Sequence, residues 1–160
     1  MFKWLRKREE TIVAPLTGNV RPLDDVPDPV FAQKMMGEGL AIEAIDGVVV
    51  SPVNGEVVQV FPTKHAVGLR SEGGLEILIH VGIDTVHMQG EGFEAYVKAG
   101  ERVKAGDLLL SFDVSFVQQK AKSDLTPVVI TNGDAVKEYH WEHVEQVERG
   151  KTVLMKVHLK

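Results

Sequence analysis

The feature that most constrains this chain is its punctuation. Gly, Pro, Asn or Asp interrupts it about every ten residues, and between them sit short runs of Val, Ile and Leu. Runs this short cannot form the alternating strands and helices of a parallel α/β sheet. They specify many short antiparallel strands, and so an all-β sandwich or barrel. Strands are expected over 11–15, 18–23, 40–44, 47–51, 55–61, 65–70, 75–81, 93–97, 107–113, 127–131 and 152–158.

Helix is expected only in two short pieces. Residues 28–35 open with Asp28 as a cap and Pro29 at the first helical position. Residues 115–122 open with Ser115 as a cap and end in lysines. The stretch 135–147 fits either period. The segments APLTGNV from Ala14 and SPVNGEV from Ser51 share one pattern, a proline and an aliphatic residue leading into a Gly turn. A third Gly-turn device, VKAGERVKAGD, begins at Val97. Recurrence of this kind suits a sandwich with duplicated halves.

Size and composition bound the function. One domain is expected over 11–160, preceded by a flexible leader, 1–10. The net charge of −5 supplies no basic field for nucleic acid. With no cysteine there is no disulfide, thiolate nucleophile or Cys-based zinc site. The chain reads as cytoplasmic, with no apolar run long enough to span a bilayer. The leader carries Phe2, Trp4 and Leu5 among Lys3, Arg6 and Lys7, which supports at most a weak peripheral membrane contact.

The chemistry concentrates in LIHVGIDTVHM, residues 78–88, where His80 interrupts a strand of β-branched and aliphatic residues. Residues 65–80 read as a hairpin with its turn at SEGG, 71–74. A turn centred between Glu72 and Gly73 sets His65 opposite His80. Directly opposed side chains lie about 4.5–5.5 Å apart at Cβ, so the two imidazoles share one face. Alternation adds Phe61, Thr63, Val67 and Leu69 from one strand, and Glu76 and Leu78 from the other. An apolar surround keeps imidazole neutral, hence a nucleophile or a metal ligand. The pair His140 and His143 has helical i, i+3 spacing that could also hold a metal, but no third ligand accompanies it. His158, in the last strand, reads as structural, and His87 as an exposed loop residue.

The run GLEILIHVGIDTV, 74–86, resembles the signature of the glucose-type IIA domain of the bacterial sugar phosphotransferase system. Gly74, Ile77, Leu78, Ile79, His80, Val81, Gly82, Ile83, Thr85 and Val86 fill its places. The segments 25–39, 62–69, 90–93, 103–107 and 122–132 extend the resemblance. The resemblance implies a flattened antiparallel β-sandwich and a phosphocarrier. His80 would carry the phosphoryl group as a phosphohistidine, His65 would be its partner, and Thr63 would orient His65. Asp28, Asp84 and Gly82 would rim the site. Val30, Phe31, Met35, Met36, Phe61, Leu78 and Val86 would form an apolar docking surface. The implied donor is the phosphocarrier HPr and the implied acceptor a cysteine on the IIB domain of a sugar permease, with regulated permeases or enzymes as further partners. No cofactor is required, and zinc would sit between His65 and His80 only in a partner complex. His87 departs from the family pattern, which has a non-histidine residue there.

Two other readings compete. A zinc hydrolase would need a third protein ligand and an open position, and no H-x-H or H-E-x-x-H occurs. A biotinyl- or lipoyl-type carrier module would need a lysine at a hairpin tip. The one Met–Lys pair, Met155–Lys156, lies in an expected strand.

Overall fold

In the computed structural model, which describes residues 9–160, the chain forms fourteen strands and two short α-helices. The first strands are β1 (Glu9–Val13), β2 (Gly18–Arg21), β3 (Glu38–Ala44), β4 (Val48–Val50) and β5 (Gly55–Val60). They are followed by β6 (Ala66–Ser71), β7 (Glu76–His80), β8 (Phe93–Ala95), β9 (Arg102–Val103) and β10 (Leu108–Phe112). The last are β11 (Leu125–Ile130), β12 (Val136–Trp141), β13 (Gln146–Val147) and β14 (Val153–Leu159). The helices are α1 (Pro29–Ala32) and α2 (Val114–Lys120). The expected all-β sandwich is what forms, and β12 settles the ambiguous stretch as strand.

Among the described residues the strands named here pair antiparallel throughout. An eight-stranded sheet runs β13-β2-β3-β11-β7-β6-β5-β9, and two three-stranded sheets run β1-β14-β12 and β4-β10-β8. The repeated sequence segments meet head to head. Val13 N–H donates to the Pro52 carbonyl at 3.1 Å, and Val50 N–H to the Pro15 carbonyl at 2.9 Å. Gly150 N–H reaches the Ala14 carbonyl as Gly106 N–H reaches that of Ser51, both at 2.8 Å. The repeated glycines have a steric reason. A Cβ on Gly18 would lie 2.1 Å from the Glu43 carbonyl oxygen, and one on Gly55 would lie 2.0 Å from that of Arg70. Only hydrogen fits where the two strands approach this closely.

Alternation along the large sheet separates two apolar clusters. Val67, Leu69, Ile77, Ile79, Val128 and Ile130 point into the main core with residues of both small sheets. The opposite face carries Ala41, Ala66, Leu78 and Val129, which pack with Leu23, Val26, Phe31 and Ile83. Gly39 and Gly68 continue this face along the row of Leu78 and Val129. So many small residues leave a depression, which the segment 23–32 fills, and His80 lies at its border.

Several expectations shift. Asp28 caps α1 as expected, accepting from Val30 N–H at 3.0 Å, but the helix ends at Ala32. The second helix is capped by Asp113, not Ser115: the Asp113 carboxylate accepts from Phe116 N–H at 3.0 Å. The first strand begins at Glu9, inside the expected leader. Glu10 is buried and accepts from Ser71 Oγ at 2.9 Å and Gly73 N–H at 2.6 Å, tying β1 to the tip of the β6–β7 hairpin. The membrane contact expected from Phe2, Trp4 and Leu5 lies outside the described residues. Among those residues, no helix is long and apolar enough to cross a membrane.

Candidate active site

The β6–β7 hairpin brings His65 and His80 together, but not as direct cross-strand partners. The observed register pairs His80 with Ala66, Ile79 with Val67 and Leu78 with Gly68, one residue away from the expected alignment. The loop holds three residues, Glu72 to Gly74, closed by Ser71 N–H on the Leu75 carbonyl at 2.8 Å. Gly74 takes φ +96°, the left-handed residue that such a three-residue hairpin demands. Val67 and Leu69 therefore face the main core, not the histidines.

His65 escapes strict alternation because it precedes β6. Lys64 turns the chain with φ +60°, while the His65 carbonyl still accepts from Val81 N–H at 2.7 Å. The His65 and His80 rings meet edge to face, with centroids 4.8 Å apart. Phe31 covers His80 at 5.1 Å and Phe61 covers His65 at 5.4 Å, so two phenyl rings flank the imidazole pair.

Each imidazole is held at Nδ1. Thr63 Oγ1 shares a 2.6 Å hydrogen bond with His65 Nδ1. His80 Nδ1 lies 2.8 Å from the Gly82 carbonyl oxygen. A carbonyl only accepts, so His80 Nδ1 carries the proton and the neutral ring keeps its lone pair on Nε2. Burial lowers the pKa of His65 to about 4, and the neighbouring His80 adds to the effect. Burial also lowers the pKa of His80, opposed by the Gly82 carbonyl and the Asp28 carboxylate. Both rings are thus neutral at pH 7, the form that can act as nucleophile or ligand.

This protonation state makes stability depend on pH. His65 binds a proton near pH 6.5 when the chain unfolds and near 4 when it is folded. The stabilisation is complete above pH 6.5 and is lost as pH falls towards 4. His65→Gln removes that titration. The variant should lose less stability than the parent between pH 7 and 4.5, by roughly 2–3 kcal/mol, as read by urea unfolding at both pH values.

The turn after His80 explains the spacing of its motif. Gly82 adopts φ +70°, and a Cβ there would fall 2.7 Å from Thr85 Cγ2 and 2.9 Å from the Ser123 carbonyl oxygen. Gly82→Ala should cost roughly 1–3 kcal/mol in urea unfolding from backbone strain, besides the clash. Thr85 is fully buried and donates to the Val81 carbonyl at 2.7 Å. Residue type alone gives Thr85 no role; its fixed distance from His80 in the signature is the signal that marks it.

The remaining expected site residues divide. Asp28 acts electrostatically on His80 from the cap of α1, while Asp84 takes φ +65° in the following turn. Val30, Met35, Met36 and Val86 are exposed, Met35 at 69%. Phe31 and Leu78 are not surface: both are buried, at 4% and 8%, because Phe31 fills the depression beneath the site and Leu78 lies in its floor. Phe61 is partly buried beside them. The exposed apolar surface is therefore narrower than expected, and Phe31 and Leu78 support it from below. His87 is exposed, with Nε2 3.9 Å from Asp84 Oδ1.

The other histidines do not assemble the expected second site. His140 lies on β12 and His143 follows it in irregular chain with φ +54°, so the helical spacing is not realised. His158 lies in the last strand, as expected. It is half-buried on β14, 3.0 Å from Glu9, with its ring 5.1 Å from that of His140. Among the described residues no three His, Cys, Asp or Glu side chains group to hold a metal. At the active site, His80 Nε2 offers one ligand and His65 Nε2 a second once Thr63 accepts from Nδ1–H, and a tetrahedral zinc would take the rest from a partner.

A model of the EIIA 1 family of the phosphoenolpyruvate-dependent sugar phosphotransferase system matches residues 10–136. The chain belongs to that family. Its place within the family is with the glucose type. It is 55% identical over 165 residues to the glucose-specific EIIA component of Bacillus cereus, covering all of both chains. It is 53% identical over 150 residues to the corresponding component of Halalkalibacterium halodurans, covering 94% of this chain and 87% of that one. Among solved structures, the glucose permease IIA from Mycoplasma capricolum superposes with a TM-score of 0.84 at 34% identity, covering 98% and 99% of the two chains. The chain is thus a phosphotransferase component that carries phosphoryl groups in sugar uptake. Its relatives give no support to the zinc-hydrolase or carrier-module readings.

Proposed function

We propose that this chain accepts a phosphoryl group on His80 Nε2 from phospho-HPr and passes it to a cysteine of a IIB domain in the cytoplasm. The single observation that carries the reading is the 2.8 Å contact between His80 Nδ1 and the Gly82 carbonyl. It commits the nucleophilic lone pair to Nε2.

In the forward step, Nε2 attacks phosphorus and the nitrogen–phosphorus bond of the donor breaks as the new one forms. The ring gains positive character, which the Gly82 carbonyl and Asp28 stabilise, since both favour the charged imidazole. His65 serves the transferred group. With Thr63 donating to Nδ1, His65 presents Nε2–H to the phosphoryl oxygens. A nearby phosphoryl dianion also opposes the depression of the His65 pKa, so the ring can gain a proton as charge arrives. No nucleotide or metal takes part in this relay. Val30, Met35, Met36 and Val86 form the surface against which donor and acceptor dock in turn. Phosphorylation places about −1.5 to −2 charges beside that surface, enough to alter which regulated permease or enzyme binds. Zinc shared with a partner's carboxylate would use His65 and His80 Nε2. The resemblance to glucose-specific components makes glucose the first sugar to test.

The test is incubation with phosphoenolpyruvate, enzyme I and HPr, followed by localisation of the phosphoryl group. The reading requires it on His80.

A further inference from the structure

Thr85 touches neither imidazole, yet everything about its environment bears on the peptide that holds His80. Its hydroxyl donates to the Val81 carbonyl at 2.7 Å from a fully buried position. Its methyl group lies 2.7 Å from where a Gly82 Cβ would be, so it packs directly on the Gly82 backbone. The far side of the same turn is clamped by a short bridge. Ile83 N–H donates to the Ser123 carbonyl at 2.9 Å, and Lys122 N–H to the Ile83 carbonyl at 3.0 Å. The peptide plane between Gly82 and Ile83 is thus gripped from both sides. Its oxygen is the one that receives His80 Nδ1–H.

We propose that Thr85 is a positioning residue of the phosphoryl relay: by fixing the Val81–Thr85 turn it aims the Gly82 carbonyl at His80 Nδ1 and keeps the lone pair on Nε2. The proposal rests on the reading of His80 as the phosphoryl acceptor. The physical link is short. A histidine tautomer is set by the partner of its other nitrogen. Gly82 carries no side chain to stiffen the turn, and its left-handed φ does not hold the peptide plane by itself. The threonine hydroxyl supplies that stiffness through its bond to the Val81 carbonyl. Loss of an orienting partner of a reactive histidine is costly even where the ring itself stays in place.

Two substitutions separate the parts of Thr85. Thr85→Val keeps the shape and removes the hydroxyl, whereas Thr85→Ser keeps the hydroxyl and removes the methyl. Imidazole ¹⁵N NMR reads the His80 tautomer directly, and the rate of phosphoryl uptake from phospho-HPr reads the consequence. The parent and Thr85→Ser should show His80 as the Nδ1–H tautomer. Thr85→Val should show a mixture of tautomers, with maximal uptake rate reduced about tenfold and the HPr concentration for half-maximal rate unchanged. A parent spectrum with the proton on Nε2 would overturn the proposal. So would a folded Thr85→Val protein that retains both tautomer and rate. If Thr85→Val does not fold, the parent and Thr85→Ser spectra decide alone, and Nε2–H in either one refutes it. Should the phosphoryl group map to a residue other than His80, the functional reading fails, while the tautomer spectra still judge the role of Thr85 in the turn.

Discussion

His80→Gln protein is expected to fold and to take up no phosphoryl label from phospho-HPr, against one group per chain in the parent. Glutamine spans a similar length and can still place an amide near the Gly82 carbonyl, so the turn after β7 has no reason to open. It has no nucleophilic nitrogen, because the amide lone pair is delocalised into its carbonyl. His65 cannot substitute. With Thr63 donating to its Nδ1, its Nε2 carries the proton and has no lone pair to attack with. Rapid-quench labelling with phosphoenolpyruvate, enzyme I and HPr reads the result. Label on the folded variant would remove His80 from its role.

The second large effect is a separation of acceptance from donation. His65→Gln is expected to accept phosphate at a rate within a few-fold of the parent, and to pass it to a IIB domain about 10²–10³ times more slowly. In acceptance, the nucleophile is already neutral and oriented by Gly82, so His65 contributes little. In donation, charge builds on the phosphoryl oxygens as the group leaves His80, and His65 is the adjacent ring that can present N–H, with centroids 4.8 Å apart. Glutamine offers a donor of weaker, uncharged character. Single-turnover transfer to purified IIB measures the step. Equal slowing of both half-reactions would mean that His65 shapes the site without acting on the phosphoryl group.

Much of this site was legible in the sequence, for identifiable reasons. Spacing carried His65, Thr63 and His80 because all three lie within or beside one hairpin, where local geometry decides. The register was misread by one residue because SEGG fits a two-residue turn as well as the three-residue loop that forms. The choice depends on Gly74 taking φ +96°, which the composition of the turn does not reveal. The sequence does not reveal that Phe31 and Leu78 are buried, because depth is a tertiary property. The depression exists because Gly39 and Ala41 on β3 and Ala66 and Gly68 on β6 open one sheet face from two strands distant in sequence. Glu10 falls within the expected leader because its partners Ser71 and Gly73 lie in a hairpin tip remote in sequence. The duplicated halves were visible only as one repeated turn. Their head-to-head contacts at Pro15 and Pro52 show that the same turn also joins the halves. His87 lies beside Asp84 at the rim, and nothing in the structure explains a histidine there.

The central claim is that a single nitrogen, His80 Nε2, carries the phosphoryl group. The most direct measurement is ³¹P–¹⁵N correlation NMR of the chain phosphorylated through enzyme I and HPr, which identifies both the residue and the ring atom. The account predicts one phosphohistidine at residue 80, bonded through Nε2, with Nδ1 still protonated against the Gly82 carbonyl. A phosphoryl group on His65, or on His80 Nδ1, would contradict it.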